Sequence, residues 1–240
     1  MTTTSATSID TTDGPMPAFV AAPAGDARGG VVVVQEAFGV TAYIEDVARR
    51  LADAGWYAVA PALFHRQGSP VLGYDDYAAV MPVMQQLTAG GLTTDLDAAF
   101  GQLAAAGFDD ARSGIVGFCM GGSVALYAGT IRRLGAAVTF YGGGVGEGRF
   151  GLPPLVDLAP SLGTPWLGLY GDLDQGIPVD QVESLRVAAA AAGVDTEVVR
   201  YPNADHGFHC DGRPAVFNAA AAADGWQRTL AWFDAHIPAR

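Results

Sequence analysis

Hydrophobic residues along this chain alternate between two patterns: short unbroken apolar runs, and longer stretches in which apolar positions recur at helical spacing. Val31-Val32-Val33-Val34 is the clearest run. It has no polar face, as expected of a strand buried on both sides of a parallel sheet, so it is predicted to be central. Tyr43 to Ala54 then places Ile44, Val47, Ala48 and Leu51 on one helical face before Gly55 ends the helix. Trp56 to Ala60, stopped by Pro61, completes a βαβ unit.

The same alternation runs through the remaining chain. Ser5 to Ala22 reads as an antiparallel hairpin around Thr12-Asp13-Gly14 at a sheet edge, with residues 1–7 expected to be disordered. Leu63 to Pro70 is a predicted loop, and Tyr74 to Leu87 a helix broken near Pro82. A helix over Thr94 to Ala105 would carry Asp95 and Asp97 in its first turn, where the helix dipole favours them. Strands are predicted at Ser113–Val116, Ala136–Tyr141, Pro165–Tyr170 and Thr196–Tyr201, with helices at Gly122–Thr130, Val179–Ala192 and Pro214–His236. The pattern defines an α/β protein whose mostly parallel, doubly wound sheet carries an N-terminal antiparallel edge hairpin. No repeat or linker divides residues 1–240, so one domain is expected.

Composition narrows the function. The formal net charge is −12 and the chain contains no lysine, which excludes lysine Schiff-base chemistry and a P-loop. An acidic chain without a basic stripe argues against a nucleic-acid partner. The N-terminus lacks the charged and apolar regions of a secretory signal, and no apolar run approaches a membrane span. The two cysteines, Cys119 and Cys210, suit a reducing compartment. A cytoplasmic monomer or small homo-oligomer is therefore expected, without membrane association. The glycine-rich segment Gly142 to Gly148 follows a strand but lacks the spacing and following helix of a dinucleotide site, and reads as a flexible loop.

The chemistry concentrates at Gly117-Phe118-Cys119-Met120-Gly121-Gly122, a strand running through a tight turn into a helix. Small flanking residues permit a sharp elbow that exposes a nucleophile, here cysteine in the place serine usually takes. A thiol needs a base, and His206 in Asn203-Ala204-Asp205-His206-Gly207-Phe208 follows the last predicted strand, on the sheet edge that carries the elbow. His65 and His236 are less suitably placed, and His209 reads as structural or surface. A carboxylate to orient the histidine is available in Asp172 or Asp174, in the loop after the strand ending at Tyr170. The aspartate not used is expected to cap its own turn. The order nucleophile, acid, histidine is that of α/β-hydrolases. Glu36, just beyond the central strand, is a candidate for gating the thiol, and the Ala37 and Met120 amides are candidates for an oxyanion hole. The residues Asp205, His206, His209, Cys210 and Asp211 match no metal-ligand spacing, so no metal is expected.

Four motifs in order, Gln35-Glu36-Ala37-Phe38-Gly39, the Cys119 elbow, Gly171 through Pro178, and Asp205-His206-Gly207-Phe208, resemble the dienelactone hydrolase family of α/β-hydrolases over about Ser8 to Phe233. The resemblance implies an α/β-hydrolase fold and a cofactor-free hydrolase of small esters or lactones. Cys119 would be the nucleophile, His206 its base and Asp174, rather than Asp172, the acid. It also implies that Glu36 keeps the resting thiol protonated and releases it when substrate arrives, and that reaction proceeds through a thioester. Alternatives are a thioesterase or peptidase with the same triad, or a hydrolase-fold protein that binds a small molecule without turnover. Two arginines that pair with a substrate carboxylate in family members fall here near Tyr77 and at Cys210. Arg66, Arg149 and Arg213 are the basic residues left to replace them, and the sequence places none in the pocket, so a less anionic substrate is expected. Phe38, Tyr77 and Met81, together with Met84, are expected to line the pocket.

Overall fold

The computed structural model describes residues 1–238. Its sheet has eight strands: β1 (Thr3–Thr11), β2 (Gly14–Ala22), β3 (Gly30–Val34), β4 (Tyr57–Pro61), β5 (Ser113–Phe118), β6 (Ala136–Phe140), β7 (Trp166–Gly171) and β8 (Thr196–Tyr201). They lie in the order β1-β2-β4-β3-β5-β6-β7-β8. β1 and β2 pair antiparallel, β2 joins β4 antiparallel, and every pairing from β4 to β8 is parallel. β3 and β5 are buried along their whole length at the centre of the sheet, as unbroken apolar runs require.

Helices α1 (Ala42–Asp53), α2 (Tyr77–Met84), α3 (Ala89–Ala105), α4 (Met120–Ile131), α5 (Leu155–Leu158), α6 (Val179–Ala189) and α7 (Ala219–His236) connect the strands. α1 buries Ile44, Val47, Ala48 and Leu51, the face read from its spacing. Among the described residues no helix is long and apolar enough to cross a membrane.

Several local expectations are corrected. Within residues 1–7, Thr3 to Thr7 are ordered: they pair in register with Ala22 to Ala18, because a threonine-rich edge suits an extended, largely exposed strand. α3 begins earlier than Thr94, at Ala89, where Thr88 Oγ1 accepts the Gly91 amide at 3.1 Å. Asp95 is consequently mid-helix and fully buried, accepting from Arg66 at 2.8 and 2.9 Å and facing His65 Nε2 at 3.0 Å. Arg66 also holds Asp13 in the hairpin turn, so the loop after β4 contains a short 3₁₀ turn, His65–Gln67, that pins the edge hairpin. Pro82 lies inside α2 without ending it. α7 starts at Ala219, capped by Asn218, and not at Pro214.

The glycine-rich segment is also different from expectation. Tyr141 to Val145 are buried, and a Cβ on Gly142 would stand 2.7 Å from Thr139 Cγ2 and 2.8 Å from the Gly122 carbonyl carbon. The glycines let this segment lie directly on the start of α4, so close packing and not flexibility explains them.

Candidate active site

In a parallel sheet the carboxyl ends of the strands share one edge, and the crevice outside that edge receives side chains from several loops. Glu36 after β3, Cys119 after β5, Asp174 after β7 and His206 after β8 all arise there.

The elbow is built by backbone contacts too close for side chains. A Cβ at Gly117 would lie 1.8 Å from the Gly121 carbonyl oxygen, and one at Gly121 would lie 2.4 Å from the Val34 carbonyl oxygen. Cys119 itself has φ 55° and ψ −117°, a conformation disfavoured for any residue with a side chain. Its amide donates to the Phe140 carbonyl at 3.0 Å, and its carbonyl accepts from Gly122 at 2.9 Å. The turn therefore lifts the half-buried thiol into a cavity at the N-terminus of α4.

That cavity, about 390 Å³, brings Cys119 together with His206, Asp174, Met120 and Asp205. His206 Nδ1 donates to Asp174 Oδ2 at 2.6 Å, and Asp174 Oδ1 accepts the Gly176 amide at 2.8 Å. Asp174 is buried and thereby fixes the ring, leaving Nε2 as the nitrogen outside that hydrogen bond. Burial opposes the imidazolium, but the neighbouring Cys119 and Asp174 outweigh it and raise the His206 pKa well above its ordinary value. Asp172 does not cap its turn as expected. It accepts from Arg200 Nε and Nη2 at 2.7 and 2.8 Å, because β8 brings that guanidinium alongside.

Glu36 is fully buried, and among the described residues neither of its carboxyl oxygens has a hydrogen-bond partner of proper geometry. Burial raises its pKa, opposed by the charges of Arg213 and His206 and by the adjacent Cys210 thiol and Tyr141 phenol. Cys210 is buried, its thiol 3.5 Å from Tyr74 Oη, and burial pushes it up to about 12, which makes it an unreactive thiol. His209 is structural: Tyr43 Oη lies 2.6 Å from its Nδ1, and burial pushes its pKa down to about 3. No backbone carbonyl accepts from the Ala37 or Met120 amide among the described residues.

The apolar wall differs from expectation. Met84, Phe150 and Ile177 line the cavity. Phe38 is instead buried with Ala37 and Val80 beside Tyr74, and Tyr77 and Met81 are exposed on α2. Arg149 lines the cavity and was obscured in the sequence by a glycine-rich context that carries no periodicity. Arg66 is engaged by Asp13 and Asp95, and Arg213 lies over the Phe38 and Tyr74 rings at 5.5 and 5.7 Å. Among the described residues no three His, Cys, Asp or Glu side chains are grouped as metal ligands.

A mostly parallel sheet with a cysteine elbow at its carboxyl edge defines a protein of the α/β-hydrolase class. More narrowly, the chain belongs to the dienelactone hydrolase family, whose sequence profile matches residues 16–237, and it is a carboxymethylenebutenolidase-like hydrolase. It is 41% identical over 240 residues to a Yersinia pestis protein provisionally named carboxymethylenebutenolidase, covering 96% of this chain and 87% of that one. A Methylorubrum extorquens protein of the same provisional name is 42% identical over 228 residues, covering 92% and 77%. The crystal structure of a provisionally named dienelactone hydrolase from Klebsiella pneumoniae superposes with a TM-score of 0.89 at 42% identity, covering 98% of this chain and 99% of that one.

Proposed function

We propose that the protein hydrolyses small esters or lactones through a Cys119–His206–Asp174 triad and a thioester intermediate. The observation that carries this reading is the positive-φ Cys119 sharing one cavity with a histidine whose Nδ1 is held by a buried aspartate. The names of the relatives as carboxymethylenebutenolidases support a lactone among the substrates.

In this reading His206 Nε2 takes the thiol proton as Cys119 Sγ bonds to the substrate carbonyl carbon. The carbonyl electron pair moves to oxygen, which the Ala37 and Met120 amides stabilise at the positive end of α4. Collapse breaks the carbon–oxygen bond, and the leaving alkoxide receives the proton from His206. In a lactone this step opens the ring, and the alcohol stays attached to the acyl group. Water, deprotonated by His206, then attacks the thioester and regenerates Cys119. Glu36, buried and with its pKa raised by that burial, is the group that would govern when the thiol releases its proton to His206.

The test is hydrolysis of a neutral aryl acetate and of a dienelactone by wild type and Cys119→Ala, with mass spectrometry of the quenched enzyme. Turnover of at least one substrate that the substitution abolishes, with an acyl adduct on Cys119, is the expected result. Unchanged turnover in Cys119→Ala would remove the triad.

A further inference from the structure

We propose that Phe150 sets the length of the acyl group that the Cys119 cavity accepts, confining substrates to compact acyl groups and excluding long alkyl chains. This rests on the reading of Cys119 as nucleophile and of His206 as proton donor to the leaving oxygen.

Backbone strain marks the residue. Among the described residues, the non-glycine positions with positive φ are Ser69, Cys119, Tyr141 and Phe150. Cys119 and Phe150, at 55° and 59°, line one cavity, and the Tyr141 ring lies 5.1 Å from the His206 ring. A large side chain on left-handed backbone is disfavoured and persists only where the surroundings hold it. Here the Leu152 amide donates to the Arg149 carbonyl at 2.8 Å, closing a turn whose central residues, Phe150 and Gly151, have φ of 59° and 71°. Positive φ at both central positions belongs to turns built from Gly, Asn or Asp. On backbone grounds a phenylalanine is the wrong residue for that position, so its retention points to the ring.

The segment around the turn is anchored on both sides. Ser123, one turn into α4 from Cys119, donates its hydroxyl to the Gly143 carbonyl at 2.7 Å. The Gly144 and Val145 carbonyls accept from the Leu155 and Val156 amides at 3.0 and 3.2 Å. Glycines let the turn close against its neighbours: a Cβ at Gly148 would stand 2.3 Å from the Leu152 carbonyl oxygen, and one at Gly151 3.1 Å from the Ala89 nitrogen. The second contact seats the turn on the start of α3, just beyond the end of α2 that carries Met84. Phe150 and Met84 both line the cavity from there.

The chemistry assigns the two parts of the substrate. Because His206 protonates the leaving oxygen, the alcohol portion lies along the side built by the loops after β7 and β8, which carry Ile177 and His206. The acyl portion is left with Met84 and Phe150. A methionine is flexible and yields to a ligand, whereas a ring held by an anchored turn does not. Phe150 is therefore the boundary.

The test measures kcat/KM for 4-nitrophenyl acetate, butyrate and octanoate, which differ on the acyl side, and for phenyl and 2-naphthyl acetate, which differ on the alcohol side. Phe150→Ala and Phe150→Gly are each expected to raise the octanoate-to-acetate ratio by about tenfold or more while leaving the naphthyl-to-phenyl ratio within about twofold. Phe217→Ala, which removes an exposed ring outside the cavity, is expected to leave both ratios unchanged. Phe150→Gly should unfold at a higher urea concentration than Phe150→Ala, because only glycine is at ease at that φ. Binding without turnover gives a second readout: in calorimetric titrations, octan-2-one should bind more tightly to Cys119→Ala carrying Phe150→Gly than to Cys119→Ala alone. An octanoate-to-acetate ratio that moves less than about twofold, or a naphthyl-to-phenyl ratio that moves as much, would overturn the proposal. If Cys119→Ala by itself retains activity, the triad fails, while the octan-2-one titration still reports on the boundary.

Discussion

His206 Nδ1 stands 2.6 Å from Asp174 Oδ2, while Asp172, two residues earlier on the same loop, is turned away to Arg200. The difference follows from direction: Asp172 is adjacent to the end of β7 and faces β8, whereas Asp174 lies one turn farther out, where the loop carrying His206 passes.

Asp174→Asn is expected to lower kcat by about 10²- to 10⁴-fold, because the amide cannot hold the Nδ1–H tautomer or stabilise the imidazolium. Asp172→Asn is expected to leave kcat within about twofold and to cost about 1 kcal/mol in urea unfolding, since Arg200 retains Glu183 at 2.7 Å. Equal losses of activity in the two variants would reject the assignment.

The elbow glycines tolerate no side chain. Gly117→Ala and Gly121→Ala should each destabilise the protein by about 3 kcal/mol or more or prevent its accumulation, because the added carbon meets backbone that cannot move aside. Gly101, exposed within α3 with open space around it, provides the contrast. Gly101→Ala should stabilise by about 0.5–1 kcal/mol, read as a higher urea midpoint.

Burial raises the Glu36 pKa above its value in the unfolded chain. Burial thus favours the neutral form, and this group's contribution is complete below the unfolded pKa and declines as pH rises through the folded one. Glu36→Gln removes that titration. Relative to wild type, the variant should be more stable at pH 8 than at pH 5, as measured by urea unfolding at the two values. If Glu36 also gates the thiol, the substitution should change the rate at which iodoacetamide alkylates Cys119 in the free enzyme. A pH-independent difference in stability would mean that Glu36 does not titrate in this range.

His209 behaves oppositely. Its pKa, held down at about 3 by burial, lies below that of the unfolded chain, so unfolding takes up a proton as soon as pH falls below the ordinary histidine range. Wild type should lose stability progressively from about pH 6.5 toward pH 3, by an amount on the order of a few kcal/mol. His209→Phe combined with Tyr43→Phe, which removes both ends of their 2.6 Å hydrogen bond, should flatten that decline. An unchanged acid limb in the double variant would assign the loss to the carboxylates instead.

Most of the architecture was legible in sequence because its signals are local. Four consecutive valines require burial on both sides, the apolar spacing of α1 defines one face, and the small residues around Cys119 permit only a sharp turn. The same is true of Cys119, His206 and the two candidate aspartates, each of which follows a strand and so arrives at a common edge. What local signals could not decide depends on groups far apart in the chain. The choice between Asp174 and Asp172 by residue spacing alone remained open until the partners His206 and Arg200 were in position. Asp95 looks like a first-turn helix residue until Arg66 and His65 are folded against it. The pocket wall is the strongest case. Phe38, Tyr77 and Met81 have the composition of a lining, but Met84, Phe150, Ile177 and Arg149 have the placement. Hydrophobicity and period determine which elements form and which faces they bury. Only the convergence of loops from β6, β7 and β8 determines which charges remain unpaired in the cavity, because pairing is a property of distances that no single segment contains.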